Sequence, residues 1–220
     1  MRFRALVLAA LLATPAAAQD WVAGIEATSD TSYTYVTHYT RSGPVTFWQT
    51  VSFLRYSVRE AGGTTQIESP GIATGLTYRW TQRNWSAAAG AGYEMRWTDR
   101  LPPGGVSTTE RQQGPIVEGD VFQRLSARTS VRGAARWSGA NDWRAGSFEV
   151  RREIRRALRA GPQVVWQGND EIQVFSVGAF AETPLGNSAL QLRAGQARIA
   201  HRDGTRATQP YFSVGIVVPF

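Results

Sequence analysis

His38 and His201 are the only two histidines in this 220-residue chain. Acyl transfer through serine would need one of them beside a hydroxyl, with a third polar group to orient the ring. Asp203 follows His201 by two residues in "HRDG", and serines are plentiful, but no spacing singles one out. His38 lies opposite Tyr35 and Tyr39 in an alternating run, where an interface residue belongs. Glycoside hydrolysis needs two facing carboxylates, and nothing in the sequence sets Glu94 against Glu118. No ligand cluster points to a metal, no glycine-rich loop points to a phosphate, and no cofactor is expected. The best-organised chemistry is ionic. Arg79, Glu94, Arg96, Glu118, Asp120, Arg128, Arg132 and Arg136 fall opposite the apolar parity of their runs, as a polar network inside a wall would. Glu118 or Asp120 pairs readily across neighbouring strands with the ladder Arg128, Arg132, Arg136. Glu149 or Arg151 on the eighth run would continue the network, with Gln163 on the ninth. Such a network either plugs a lumen or lines a conduit for an anionic or hydroxylated chain.

The elements that would carry these charges are strands. Twelve alternating runs follow one another, separated by short turns. In "GIATGLTYRW", Ile72, Leu76, Tyr78 and Trp80 share one parity, and Arg79 has the other. In "WSAAAGAGYEMRW", the parity of Trp85, Tyr93 and Trp97 opposes that of Glu94 and Arg96. In the sixth run the same logic leaves Val117 and Val121 on the apolar face. "DRLPPGGVSTTERQQG", residues 99–114, reads as the largest loop. The eighth and ninth runs compete with a short helix over "REIRRALRAG". Many runs reach the nine to eleven residues that a tilted strand needs to cross a bilayer. Trp80, Trp85, Trp97, Trp137 and Trp143 stand at strand ends, as interfacial rings do. Tyr33, Tyr35, Tyr39, Trp48 and Tyr56 read as further girdle residues.

The expected fold is all-β: an antiparallel, up-and-down transmembrane barrel of about twelve strands with an Arg/Glu-containing lumen. "MRFR", "ALVLAALLATP" and "AAAQD" form a signal peptide over residues 1–18, leaving one barrel domain over 19–220. The last run, "YFSVGIVVPF", places Phe212, Val214, Ile216, Val218 and Phe220 toward lipid. It would close against the first strand, since an open edge is not tolerated in hydrocarbon. There is no cysteine, so no disulfide holds the fold. Arginine supplies all 24 basic charges against 17 acids. These arginines are spread singly through apolar alternation, which excludes nucleic acid as a partner.

The chain resembles the cellulose biosynthesis protein BcsS family of small outer-membrane barrels. The likeness lies in "DWVAGIEA" with "SYTYV", in "GPIVEGDV", and in "GPQVVWQGND" followed by "VFSVGAFAETPLGNSALQLRAGQAR". Gln163 stands where that family often has an acid. The resemblance implies a non-enzymatic accessory role in making or exporting cellulose or another exopolysaccharide. It implies an outer-membrane location, with lipid, polysaccharide and other cellulose-synthesis components as partners. A generic porin-like or structural barrel is the alternative, and an outer-membrane lipid-modifying enzyme is the second alternative.

Overall fold

The computed structural model describes residues 18–60 and 63–219. Nearly all of the expected signal segment, and Phe220, lie outside them. Twelve strands run in chain order: β1 (Ala18–Ala27), β2 (Thr31–Ser42), β3 (Val45–Glu60), β4 (Gly63–Thr81), β5 (Trp85–Leu101), β6 (Thr108–Arg124), β7 (Thr129–Ser138), β8 (Trp143–Arg155), β9 (Leu158–Gly168), β10 (Ile172–Leu185), β11 (Ser188–His201) and β12 (Arg206–Pro219). Each pairs antiparallel with its sequence neighbours. The circle closes between β1 and β12, from Asp20 opposite Pro219 to Ala27 opposite Phe212. Closure pairs the backbone of both edge strands, which hydrocarbon demands.

The two faces of the wall follow strand parity. Leu76, Tyr93, Val117, Val121, Phe148, Phe175, Val177, Leu192 and Phe212 point outward and are exposed. An apolar outer belt of this kind is what a lipid-facing barrel presents. The end at which β1 begins and β12 finishes carries tight turns, such as 43–44, 156–157 and 186–187. The opposite end carries the longest connection, 102–107. Short turns face the periplasm and longer loops the outside in barrels of this type, so the end with the 102–107 connection is the outer one.

Three expectations need correction. Residues 99–114 are mostly strand, because alternation continues through "TTERQQ" beneath its polar composition. Only 102–107 are loop, and β3 to β6 reach 16–19 residues, rising past the other strands at the outer end. "REIRRALRAG" is a hairpin, not a helix: β8 and β9 meet at Arg156–Ala157, with Ala157 at a φ of 72°. Finally, Tyr33, Tyr35, Tyr39, Trp48, Tyr56 and Trp143 do not form a girdle. They point into the barrel, because the wide lumen needs bulky filling as much as the lipid face needs rings.

The face assignment predicts unequal outcomes for two charged substitutions. Leu76→Arg places a guanidinium against lipid, at a cost of about 2–4 kcal/mol near the bilayer midplane. Thr46→Arg extends into the polar cavity of the interior and leaves stability nearly unchanged. Folding yield into lipid vesicles reads both, and equal losses would contradict the inward and outward assignment.

Candidate functional site

The lumen is divided by an apolar layer. Leu54, Tyr56 and Val58 of β3 and Ile67 of β4 point inward from one wall. Ile172 and Val174 of β10 and Ile199 of β11 meet them in the same buried cluster, and Trp143 packs against it. β4 and β10 lie six positions apart in a ring of twelve strands, so this cluster spans the barrel. A polar latch sits above it. Glu171, in the turn between β9 and β10, accepts hydrogen bonds from the Tyr56 hydroxyl at 2.9 Å and from Arg100 Nη1 at 2.7 Å.

Beneath the layer is a cavity of about 590 Å³. It reaches from Leu54 and Trp143 down to Asp20, Arg41 and Arg79 near the periplasmic end. A smaller cavity of about 230 Å³ lies at the outer end, lined by Ser69, Thr98, Arg100 and Glu171. No residue lines both. The larger cavity is therefore a vestibule that ends on the apolar layer.

Most charges on its wall are paired. Arg79 grips Asp120 in two-pronged fashion, at 2.7 and 3.1 Å. Arg136 sits opposite Glu118 in the β6–β7 register, 3.7 Å away. Glu118 also accepts from Thr77, which accepts from the Trp48 indole at 3.1 Å, and Arg136 stacks over that indole. The indole lies flat because its neighbours in the ladder are Gly75 and Gly92. A Cβ on Gly75 would stand 2.4 Å from the Trp48 ring. Glu94 and Arg96 are deeply buried, 2.9 Å apart. Arg96 also donates to the Ser69 carbonyl and the Ser52 hydroxyl, and Ser138 donates to Glu94.

A second network crosses from β8 to β1. Arg193 bridges Glu149 and Glu26, and Arg151 and Arg159 both meet Glu182. Sequence reasoning placed Glu149 and Arg151 here but missed Arg193, Glu182 and Glu26; Gln163 lies opposite Glu149 in the register, buried, with neither side-chain atom hydrogen-bonded among the described residues. The parity of Arg193 opposite Leu192 was a usable signal for the first of these.

Two of the sequence-chosen arginines stand apart. Arg132 lines the vestibule and has no ion pair among the described residues. Arg128 sits in the turn between β6 and β7, outside the wall.

The histidines lie far from one another in role. His38 is on the outward parity, buried beside Trp21 with ring centroids 4.6 Å apart. His201 ends β11 on the inward parity at the outer end. Asp203 is occupied by its own turn, accepting from the Thr205 amide and hydroxyl at 2.9 and 2.7 Å, which hold its carboxyl below the usual range. In the turn after β7, the Trp137 indole and then Arg144 do the same for Asp142. Among the described residues no group of three or more acids and histidines could hold a metal.

Solved structures share this architecture. The KdgM porin superposes with a TM-score of 0.58 at 11% identity, covering 91% of this chain and 99% of that one. The COG4313 outer membrane channel from Pseudomonas putida F1 gives 0.59 at 14% identity, covering 94% and 97%. The β domain of the Bordetella autotransporter BrkA gives 0.58 at 12% identity, covering 93% and 100%. At these identities the likeness is one of fold: a twelve-stranded outer-membrane barrel of porin-like form. No protein-family model and no curated protein sequence matches the chain.

The buried Glu94–Arg96 pair supports a stability prediction. Glu94→Leu strands a buried guanidinium and lowers stability by about 3–5 kcal/mol, whereas Glu94→Leu with Arg96→Met recovers most of the loss. Urea unfolding from vesicles, read by tryptophan fluorescence, measures both.

Proposed function

We propose that the protein is a non-enzymatic, porin-like barrel of the outer membrane, held closed at rest, whose vestibule receives hydroxylated or anionic solutes. The observation that carries this reading is the polar vestibule ending on an apolar layer. Arg132, which has no ion pair among the described residues, offers a two-pronged contact to a carboxylate, and the inward tyrosines offer flat apolar faces. A solved complex of the KdgM porin contains disordered oligogalacturonate, an acidic sugar chain, which suits a solute of this class here.

The layer decides the resting state. Exposing three of its aliphatic side chains to water costs about 5–9 kcal/mol. Each factor of ten in population corresponds to about 1.4 kcal/mol, so spontaneous opening is rarer than about one molecule in a thousand. Conduction therefore requires a solute or a partner that repays this cost.

An accessory role in cellulose export is the narrower reading, resting on the resemblance of the quoted segments. Polymer release from a strain lacking the protein tests it. Lipid-modifying chemistry finds no support in the placement of His38, His201 and Asp203.

Planar bilayer recording tests the closed-porin reading. The native protein gives little steady conductance. Ile67→Gly with Ile172→Gly and Val174→Gly opens the layer and raises conductance several-fold, with Glu171→Ala giving a smaller rise. A variant that folds, as judged by its faster migration before boiling, and still does not conduct would contradict the proposal.

A further inference from the structure

The periplasmic rim carries charge that the vestibule does not neutralise. Three neighbouring turn regions, residues 81–86, 123–129 and 152–159, hold seven arginines and one acid, Glu153. The strand-by-strand spacing scatters these arginines along the chain. Folding gathers them instead. The Arg124 amide donates to the Asn84 carbonyl at 2.7 Å, and the Glu153 amide donates to the Arg128 carbonyl at 2.8 Å. The three turns are thus stitched side by side into one arc of the rim.

Arg159 is tied to Glu182. Arg83, Arg124, Arg128, Arg152, Arg155 and Arg156 are exposed and have no ion pair among the described residues. The other two turns at this end, 43–44 and 186–187, are uncharged, and Arg41 beside the first is paired with Asp20 at 2.5 Å. The charge is therefore one-sided. It also continues inward: Arg132, on the strand between two of these turns, lines the vestibule unpaired.

We infer that this arc is a docking collar for a carboxylated polysaccharide chain that approaches from the periplasmic side. Unpaired guanidinium groups on one arc focus the field on a polyanion and bind its carboxylates through paired N–H donors. A belt of anionic lipid would meet the barrel all round and only from outside. The observed charge is confined to one arc and leads into the cavity through Arg124, which shares the inward parity of Glu118 and Asp120, and Arg132, whereas Arg152 shares the outward parity of Phe148. A sugar chain suits the cavity better than an acidic peptide because Tyr33, Tyr35 and Tyr39 line it, with the first two rings stacked 5.4 Å apart. The direction follows from the closed end: the vestibule is reached from the periplasmic rim, so loading occurs there. The inference rests on the porin-like reading only for that direction.

The test is binding of fluorescein-labelled oligogalacturonate to the folded protein in nanodiscs, read by anisotropy. An uncharged cello-oligosaccharide of equal length, poly-glutamate of equal charge and phosphatidylglycerol vesicles serve as competitors. The acidic sugar should bind, and raising salt from about 50 to about 300 mM should weaken it sharply. Arg124→Gln with Arg128→Gln, Arg152→Gln and Arg155→Gln should weaken it about ten-fold. Arg132→Gln alone should weaken it less, and Arg202→Gln, at the outer end, should leave it unchanged. Faster migration before boiling checks that each variant is folded. Equal binding of the uncharged chain, or unchanged binding in the collar variant, would overturn the inference. So would tighter binding of poly-glutamate, which assigns the arc to an acidic protein, or competition by vesicles alone, which assigns it to lipid. Failure of the layer variants to conduct would remove the porin reading without touching this binding. Loss of binding with conductance intact would remove the collar alone.

Discussion

The structure depends on one constraint: in hydrocarbon, no backbone N–H or C=O can be left unpaired. The contact between β1 and β12 is the place where that constraint is met or lost. Once the ring closes, its circumference is fixed, and so is the width of the space inside. Twelve strands enclose more room than aliphatic side chains on the inner parity would fill. Everything particular to this chain is a response to that excess. Aromatic rings reach inward from β2, β3 and β8, arginines and acids bridge across the wall, and an apolar layer occupies the outer half.

Those responses divide the lumen into two physical regimes. In the outer half, Leu54, Ile67, Ile172, Val174 and Ile199 exclude water and seal by packing. In the inner half, ion pairs line an open cavity. The pairs are not interchangeable. Arg79 with Asp120 is partly exposed and screened, so it contributes little to stability. Glu94 with Arg96 is buried, so its value lies in what would follow from breaking it. The Trp48–Thr77–Glu118–Arg136 chain is a third kind, a network that fixes the inner face of β3, β4, β6 and β7 against one another. Its indole is seated by two glycines, so backbone sequence and side-chain chemistry are coupled at that point.

The number of strands and most of the inward and outward assignments were legible in the sequence, because period-two alternation is a direct image of the wall. Val117 and Val121 could be placed on the lipid face from their spacing to Glu118 and Asp120 alone. The inner aromatics could not. Tyr35 and Trp48 have the composition of interfacial residues, and composition does not say which side of a wall a ring faces; only their register against Thr37, Thr50 and Ser52 does. Partners across the lumen were also invisible. Arg193 and Glu149 are 44 residues apart, and Tyr56 and Glu171 are 115 apart. Such contacts depend on the curvature of the closed ring, which local patterning does not encode.

The same closure explains why the rim can be charged at all. Within the wall the buried arginines Arg96, Arg151 and Arg193 are each held close to an acid, since an unpaired buried charge is too costly. At the rim that pressure disappears, and a guanidinium can remain unpaired in water. Charge left unpaired in water costs the fold little but also gains it little, so folding alone does not account for six unpaired arginines on three adjoining turns and their strand ends. Two other turns at the same end, built from glycine, proline and asparagine, turn the chain equally well without charge. The contrast between these two sets of turns places the arginine arc among features that act on something outside the barrel, and its continuity with Arg132 points that action into the vestibule.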